Sequence, residues 1–167
     1  PKRGASRSGC MKSHFFDYTN VASIIDKLEP SLIMEIGIGF GENFLNLISY
    51  MNKKSSKYNL ISLSDSPHCM IPVIPLPLRD RVTYISGVSY DRLNEFPNIV
   101  GLSDIFKSKI DLCIIDSDHN YYTMKKELDA LLPNLSEKCC ILFHDTNTPE
   151  LAQNHGVTFR NVNSISN

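Results

Sequence analysis

The chain has 167 residues, of which 42% are hydrophobic and 21% charged, and its formal net charge is −1. This length suits one domain with a substantial core, and the balanced charge gives no general electrostatic reason to expect nucleic acid or an anionic membrane surface as a partner. No segment approaches the roughly twenty consecutive apolar residues of a membrane span, no signal-peptide pattern stands out, and the five cysteines lack zinc-site spacing, so we expect a reduced, cytoplasmic setting.

The predicted elements alternate between helices and strands along the chain. The charged residues among the first twelve are all basic, and we expect a flexible segment at 1–13 ahead of a single domain at 14–167. Apolar residues at helical spacing predict helices at 18–28, 42–51 and 121–132, with a short helix or turn at 103–110. Short apolar runs predict strands at 32–38, 58–65, 81–89, 111–116 and 139–145, and four prolines mark 67–80 as a loop. This alternation predicts an α/β fold, a parallel sheet of the doubly wound type with helices on both faces.

Three glycines follow the first predicted strand in the run EIGIGFGE, residues 35–42. Gly37, Gly39 and Gly41 permit a tight turn and close approach by a ligand, and the following helix directs free N–H groups toward it. The spacing departs from the G-x-G-x-x-G of dinucleotide sites, and Glu42 stands where a phosphate loop needs lysine. A nicotinamide-dependent oxidoreductase is therefore a weaker alternative, and a glycine-rich connector without a ligand is the plainest one.

Two stretches of the chain resemble one enzyme family. EIGIGFG resembles the E-x-G-x-G-x-G motif of class I S-adenosylmethionine-dependent methyltransferases. The stretch 114–147, from IIDSDHNYY to CCILFHDTN, is similar to the branch of metal-dependent sugar and macrolide O-methyltransferases and their cephalosporin-type relatives. The resemblance implies a Rossmann-like methyltransferase sheet, with the last two strands of the family absent or degenerate here. An uncovered edge strand would favour a homodimer.

The resemblance also implies which residues bind S-adenosylmethionine. The residues expected at the methionine part of the cofactor are Glu35, Gly37, Gly39 and Gly41. Asp116 is expected beside the cofactor as well. Asp65, or Ser64 beside it, would hold the ribose hydroxyls. The family often meets the adenine with a Gly-Asp pair that is Gly87-Val88 here, so Ser89 or Asp91 would take that contact.

The fourth and fifth predicted strands end in carboxylates, at Asp116 and Asp145. Two carboxylates at one edge repel each other unless a cation lies between them, and oxygen-rich sites suit Mg²⁺, Mn²⁺ or Ca²⁺. Metal-dependent members of the family carry an acid after each of these strands, and the remaining ligand is open among His144, Asp118, Thr146 and Asn147. His119 is the expected general base beside Asp116, because imidazole titrates near neutrality.

Together these features predict O-methylation of a small hydroxylated substrate such as a sugar or natural product, assisted by a divalent metal. The alternative from another functional class is a degenerate methyltransferase-like module that binds a partner without turnover.

Overall fold

The computed structural model describes residues 18–39, 41–54, 57–65, 74–95, 108–118 and 120–144. These ranges contain four α-helices and five strands. In chain order they are α1 (Tyr18–Leu28), β1 (Leu32–Ile36), α2 (Glu42–Lys54), β2 (Asn59–Ser64), β3 (Val82–Ser86), α3 (Ser89–Glu95), β4 (Ile110–Ile115), α4 (Tyr121–Leu131) and β5 (Leu135–Phe143). Strands β2 and β3 follow one another without an α-helix in the described residues between them. None of the described helices is long and apolar enough to cross a membrane.

The five strands form one parallel sheet in the order β3-β2-β1-β4-β5. The chain builds outward from β1 in one direction through β2 and β3, then returns to the other side of β1 for β4 and β5. The strand order therefore reverses between β1 and β4, where open α/β sheets bind their ligands. Ile36 pairs with Ile115 in this register, which brings the residues after both strands side by side. The predicted doubly wound α/β fold is confirmed.

The central strands are apolar on both faces because helices cover both sides of the sheet. All five residues of β1 are buried. Ile33 packs in a cluster with Phe44 of α2, whereas Met34 faces the opposite cluster with Leu93 of α3 and Leu131 of α4. Two clusters on opposite faces explain why a strand such as β1 reads as a continuous apolar run rather than an alternating one.

The structure differs from the predicted elements most clearly at β3, β5 and α4. The strand predicted at 81–89 ends at Ser86, because Gly87 turns the chain at φ 135° and Ser89 begins α3. The fifth strand begins at Leu135, four residues before its predicted start. Its first half is polar and partly exposed, so no apolar run marks it in the sequence. The predicted helix 121–132 ends at Leu131, Leu132 is 59% exposed, and the buried positions of α4 include Glu127.

Several predictions fall wholly or partly outside the described residues. They concern the basic segment 1–13, half of the loop 67–80, most of the turn 103–110 and the chain after His144. Within the described part of that loop, Leu76–Leu78 forms a single 3₁₀ turn.

Candidate functional site

A cleft of about 360 Å³ opens at the carboxyl ends of β1, β2 and β4. Its described lining combines the glycine turn, the ends of the strands and the first turns of α3 and α4. The lining residues are Ile36, Gly37, Ile38, Gly39, Leu63, Ser64, Asp65, Val88, Ser89, Tyr90, Asp116, Ser117, Asp118, Thr123 and Glu127. The cleft therefore lies where the topology of the sheet predicts a ligand site.

The glycine turn forms one wall of this cleft and depends on left-handed backbone. Gly37, Gly39 and Gly41 have φ of 89°, 51° and 79°, a region that other residues adopt at a cost. A Cβ on Gly37 would lie 2.0 Å from the backbone oxygen of Asp116, whereas a Cβ on Gly39 would meet nothing within 4 Å. Gly37 is thus required for packing, and Gly39 keeps the cleft open. Gly41 lies behind the wall, where its N–H closes the turn onto the Ile38 carbonyl at 2.7 Å.

Glu35 lies under the glycine turn, buried inside the sheet. Its Oε2 accepts a hydrogen bond from Ser62 Oγ on β2, and its Oε1 has no hydrogen-bond partner in the described part of the chain. Burial raises the pKa of this carboxyl to about 8, with the Ser62 bond opposing the shift and the charge of Asp116 adding to it. Glu35 is not among the described residues that line the cleft, so its predicted contact with the cofactor is not evident in this arrangement.

The raised pKa makes Glu35 a source of pH-dependent stability. Between pH 4.5 and about 8 the folded protein keeps this proton while the unfolded chain loses it, so the free energy of unfolding should fall as pH rises, by up to about 1.4 kcal/mol per pH unit. Glu35→Gln removes the titration. In urea unfolding, the variant should gain stability relative to the wild type as pH rises through this window. A difference between the two proteins that stays constant with pH would contradict the assignment.

Asp116 and His144 meet across the ends of β4 and β5. The backbone N–H of Asp116 donates to the Ile36 carbonyl at 2.8 Å, and that of His144 donates to the Ile115 carbonyl at 3.0 Å, which fixes both residues at the edge of the sheet. His144 Nδ1 lies 2.9 Å from Asp116 Oδ1, and Asn43 Nδ2 donates to Asp116 Oδ2 at 3.4 Å. The ends of β4 and β5 therefore lie together as expected. The described side chains that meet there are the Asp116 carboxylate and the His144 imidazole.

Of the remaining predicted metal and catalytic residues, Asp118 alone lies within the described residues. His119, Asp145 and their neighbours Thr146 and Asn147 lie outside the described residues. Asp118 instead holds the start of α4, accepting hydrogen bonds from the side chains of Asn120 and Thr123. No group of three His, Cys, Asp or Glu side chains suited to a metal gathers within the described ranges.

Three of the residues expected at the ribose and adenine line the cleft, namely Ser64, Asp65 and Ser89. Asp65 is exposed after β2, and both it and Ser64 line the cleft. Ser89 lines it as well at the start of α3, whereas Asp91 on the same helix is exposed and is not among the lining residues. Of the two residues expected to meet the adenine, Ser89 is thus the one placed in the cleft.

Glu127 is a buried cleft residue that the sequence analysis missed. Its carboxyl accepts hydrogen bonds from Ser89 Oγ and from Ser117 Oγ, the latter at 2.7 Å. Burial raises the pKa of Glu127, the two serine bonds oppose the shift, and the charges of Asp118 and Asp65 add to it. The sequence offered one indication of this burial. Glu127 shares a helical face with Ala130 and Leu131, because residues three and four apart lie on the same face.

Comparison with known proteins identifies the family and the fold. A family model described as a methyltransferase domain matches residues 34–146, which is more than half of the chain. The rhamnosyl O-methyltransferase of Mycobacterium leprae is 28% identical over 138 residues, a match that covers 83% of this chain and 58% of the relative. An O-methyltransferase from Bacillus cereus, solved in complex with SAH, aligns with a TM-score of 0.61 at 18% identity, covering 78% of this chain and 58% of that one.

A third protein is similar in fold. MycE, a methyltransferase of mycinamycin biosynthesis solved with Mg, SAH and mycinamycin VI, aligns with a TM-score of 0.57 at 18% identity over 84% of this chain and 36% of its own. The chain thus spans just over half the length of the M. leprae and B. cereus relatives, and less of MycE. The resemblance read from the glycine turn is confirmed: this chain belongs to the methyltransferase domain family.

Proposed function

We propose that this chain binds S-adenosylmethionine in the cleft and transfers its methyl group to a hydroxyl of a small substrate. The observation that carries the proposal is the packing of the glycine turn against Asp116 at the switch point of the sheet. This arrangement gives a ligand close access to backbone between β1 and α2, with carboxylates at either end of the cleft. The family match favours this function over a nicotinamide-dependent oxidoreductase.

The described side chains suit the parts of such a cofactor. Asp65 offers two acceptor oxygens to the vicinal hydroxyls of a ribose, and Val88 and Tyr90 add apolar surface beyond it. The glycine turn would take the methionine part, beside the negative charge of Asp116. The bound cofactor supplies a methyl group on a positively charged sulfonium, and the task of the protein is to align an oxygen with it.

A divalent cation forms part of the proposal because Asp116, which lines the cleft, lies within 2.9 Å of His144 at the edge of the sheet. Asp116 would offer a carboxylate oxygen and His144 an imidazole nitrogen, with Asp145 as a further oxygen ligand. Such a cation would lower the pKa of a substrate hydroxyl. His119 remains the proposed general base because it belongs to the D-x-D-H motif of the sequence.

The proposed substrate is a hydroxylated sugar or natural product. Support comes from the names of the relatives, a rhamnosyl O-methyltransferase and a methyltransferase of mycinamycin biosynthesis. A cytoplasmic location is proposed from the free thiols of Cys113, Cys139 and Cys140. A homodimer is proposed from β5, which lies at one edge of the described sheet.

A transfer assay tests the proposed reaction. Methyl-labelled S-adenosylmethionine is incubated with the protein and with rhamnosides, macrolides and other hydroxylated acceptors, and the products are analysed by mass spectrometry. We expect a methyl ether on one acceptor class and an equal amount of S-adenosylhomocysteine. Binding of the cofactor without transfer to any acceptor would favour the partner-binding module instead, and transfer to nitrogen or sulfur would contradict the O-methylation.

A further inference from the structure

The end of the cleft formed by α3 and α4 contains three hydroxyl groups whose hydrogens are all directed toward carboxylates. Ser89 Oγ and Ser117 Oγ both donate to Glu127, and Thr123 Oγ1 donates to Asp118 Oδ2 at 3.2 Å. All five residues line the cleft. A hydroxyl that has donated its single hydrogen can offer a ligand nothing but its lone pairs. This end of the cleft therefore presents hydrogen-bond acceptors.

Glu127 is the group that makes the two serine hydroxyls acceptors toward the cleft. It is fully buried, and it comes from α4, whereas Ser89 comes from α3 and Ser117 from the end of β4. One carboxylate thus ties three elements together at the wall of the cleft. Its two oxygens are both acceptors when it is ionised, so neither serine can turn its hydrogen toward the ligand without leaving a buried carboxylate oxygen unpaired, which is costly.

We propose that Glu127 is a positioning residue that fixes Ser89 and Ser117 as acceptors, so that the cleft selects the exocyclic amine of adenine over the carbonyl of hypoxanthine. The inference rests on the proposed function, because it concerns the base of the proposed cofactor. Adenine carries an N–H donor at the position where hypoxanthine carries an acceptor. The apolar surfaces of Val88 and Tyr90 flank Ser89, as a planar base requires.

Calorimetric titration with S-adenosylhomocysteine and S-inosylhomocysteine tests the inference, because hypoxanthine replaces the exocyclic amine of adenine by a carbonyl and carries a proton on N1. We expect the wild type to prefer the adenosyl ligand by about tenfold or more, since the inosyl carbonyl would face acceptors and remain unpaired. In Glu127→Gln, one oxygen becomes an N–H₂ donor. The serine beside it then accepts, and its own hydrogen can turn into the cleft. The preference should fall to about twofold.

The ratio of the two affinities separates positioning from a merely structural role. Damage to the fold would weaken both ligands together and leave the ratio unchanged. Glu137→Gln, the same substitution at an exposed position on β5, is the matched control and should keep the wild-type ratio. Ser89→Ala provides a second variant in case Glu127→Gln does not fold, and it should lose the preference as well.

Three further outcomes would contradict the inference, and they differ in what they imply for the proposed function. A wild type that binds both ligands equally, or folded variants that retain the full preference, would overturn the role of Glu127 and leave the proposed function intact. A wild type that binds neither ligand would overturn the proposed function and this inference with it.

Discussion

Replacing Gly37 with alanine should destabilise the protein by about 3 kcal/mol or more. Two costs combine at this position. The residue has φ 89°, and an added Cβ would lie 2.0 Å from the Asp116 oxygen and 2.5 Å from its carbonyl carbon. Neither strand can move away freely, because the Asp116 N–H is bonded to the Ile36 carbonyl at 2.8 Å. Urea unfolding of the purified variant measures the loss.

Gly39→Ala is the matched control for this prediction. Gly39 also has positive φ, at 51°, but a Cβ there would meet nothing within 4 Å. Gly39→Ala should therefore lower the free energy of unfolding only through its left-handed backbone conformation, by about 1 kcal/mol. Equal losses of stability in the two variants would show that the close approach of Gly37 to Asp116 does not exist in solution.

The second large effect is expected at Asp116. Asp116→Asn should lower methyl transfer by about 100-fold or more, because a misplaced substrate oxygen loses the alignment on which the transfer depends. The affinity for S-adenosylhomocysteine should stay nearly unchanged, since the proposed cation serves the substrate. Excess chelator should reduce the wild type to a similar rate, and added Mg²⁺ or Mn²⁺ should restore it.

The control for this variant is Asp129→Asn, the same substitution at an exposed residue that pairs with Lys125. It should transfer methyl groups at the wild-type rate. Transfer that proceeds unchanged in excess chelator would remove the cation from the proposal. Asp116 would then serve as a partner of Asn43 and His144 in holding the edge of the sheet.

The sequence predicted those parts of the fold that depend on local pattern. The apolar runs of β1 and β4 and the glycines after β1 identified the sheet and the place of the cleft. Together with strand order, they implied that the residues after β4 and β5 would meet. Asp116 does meet His144 there, at 2.9 Å. Such features can be read locally because the register of buried parallel strands aligns their ends.

Features that depend on distant contacts were not predicted. The pairing of Ser89 with Glu127 joins residues 38 positions apart, so the helical spacing that places Glu127 beside Ala130 and Leu131 does not reveal its partner. Helix α3 has seven residues and a mostly polar sequence, which gives almost no apolar periodicity to detect. The polar first half of β5 likewise lacked the apolar run by which strands were recognised, although it pairs with β4 in the sheet.

The central claim is that the cleft beside the glycine turn binds S-adenosylmethionine. Titration calorimetry with S-adenosylhomocysteine tests it most directly, with NAD⁺ as the competing ligand and Gly39→Val as the variant that places a side chain in the open space of the cleft. We predict one S-adenosylhomocysteine bound per wild-type chain, no binding of NAD⁺, and loss of binding in a folded Gly39→Val protein. Unchanged affinity in that variant, or binding of NAD⁺ in place of S-adenosylhomocysteine, would contradict the account.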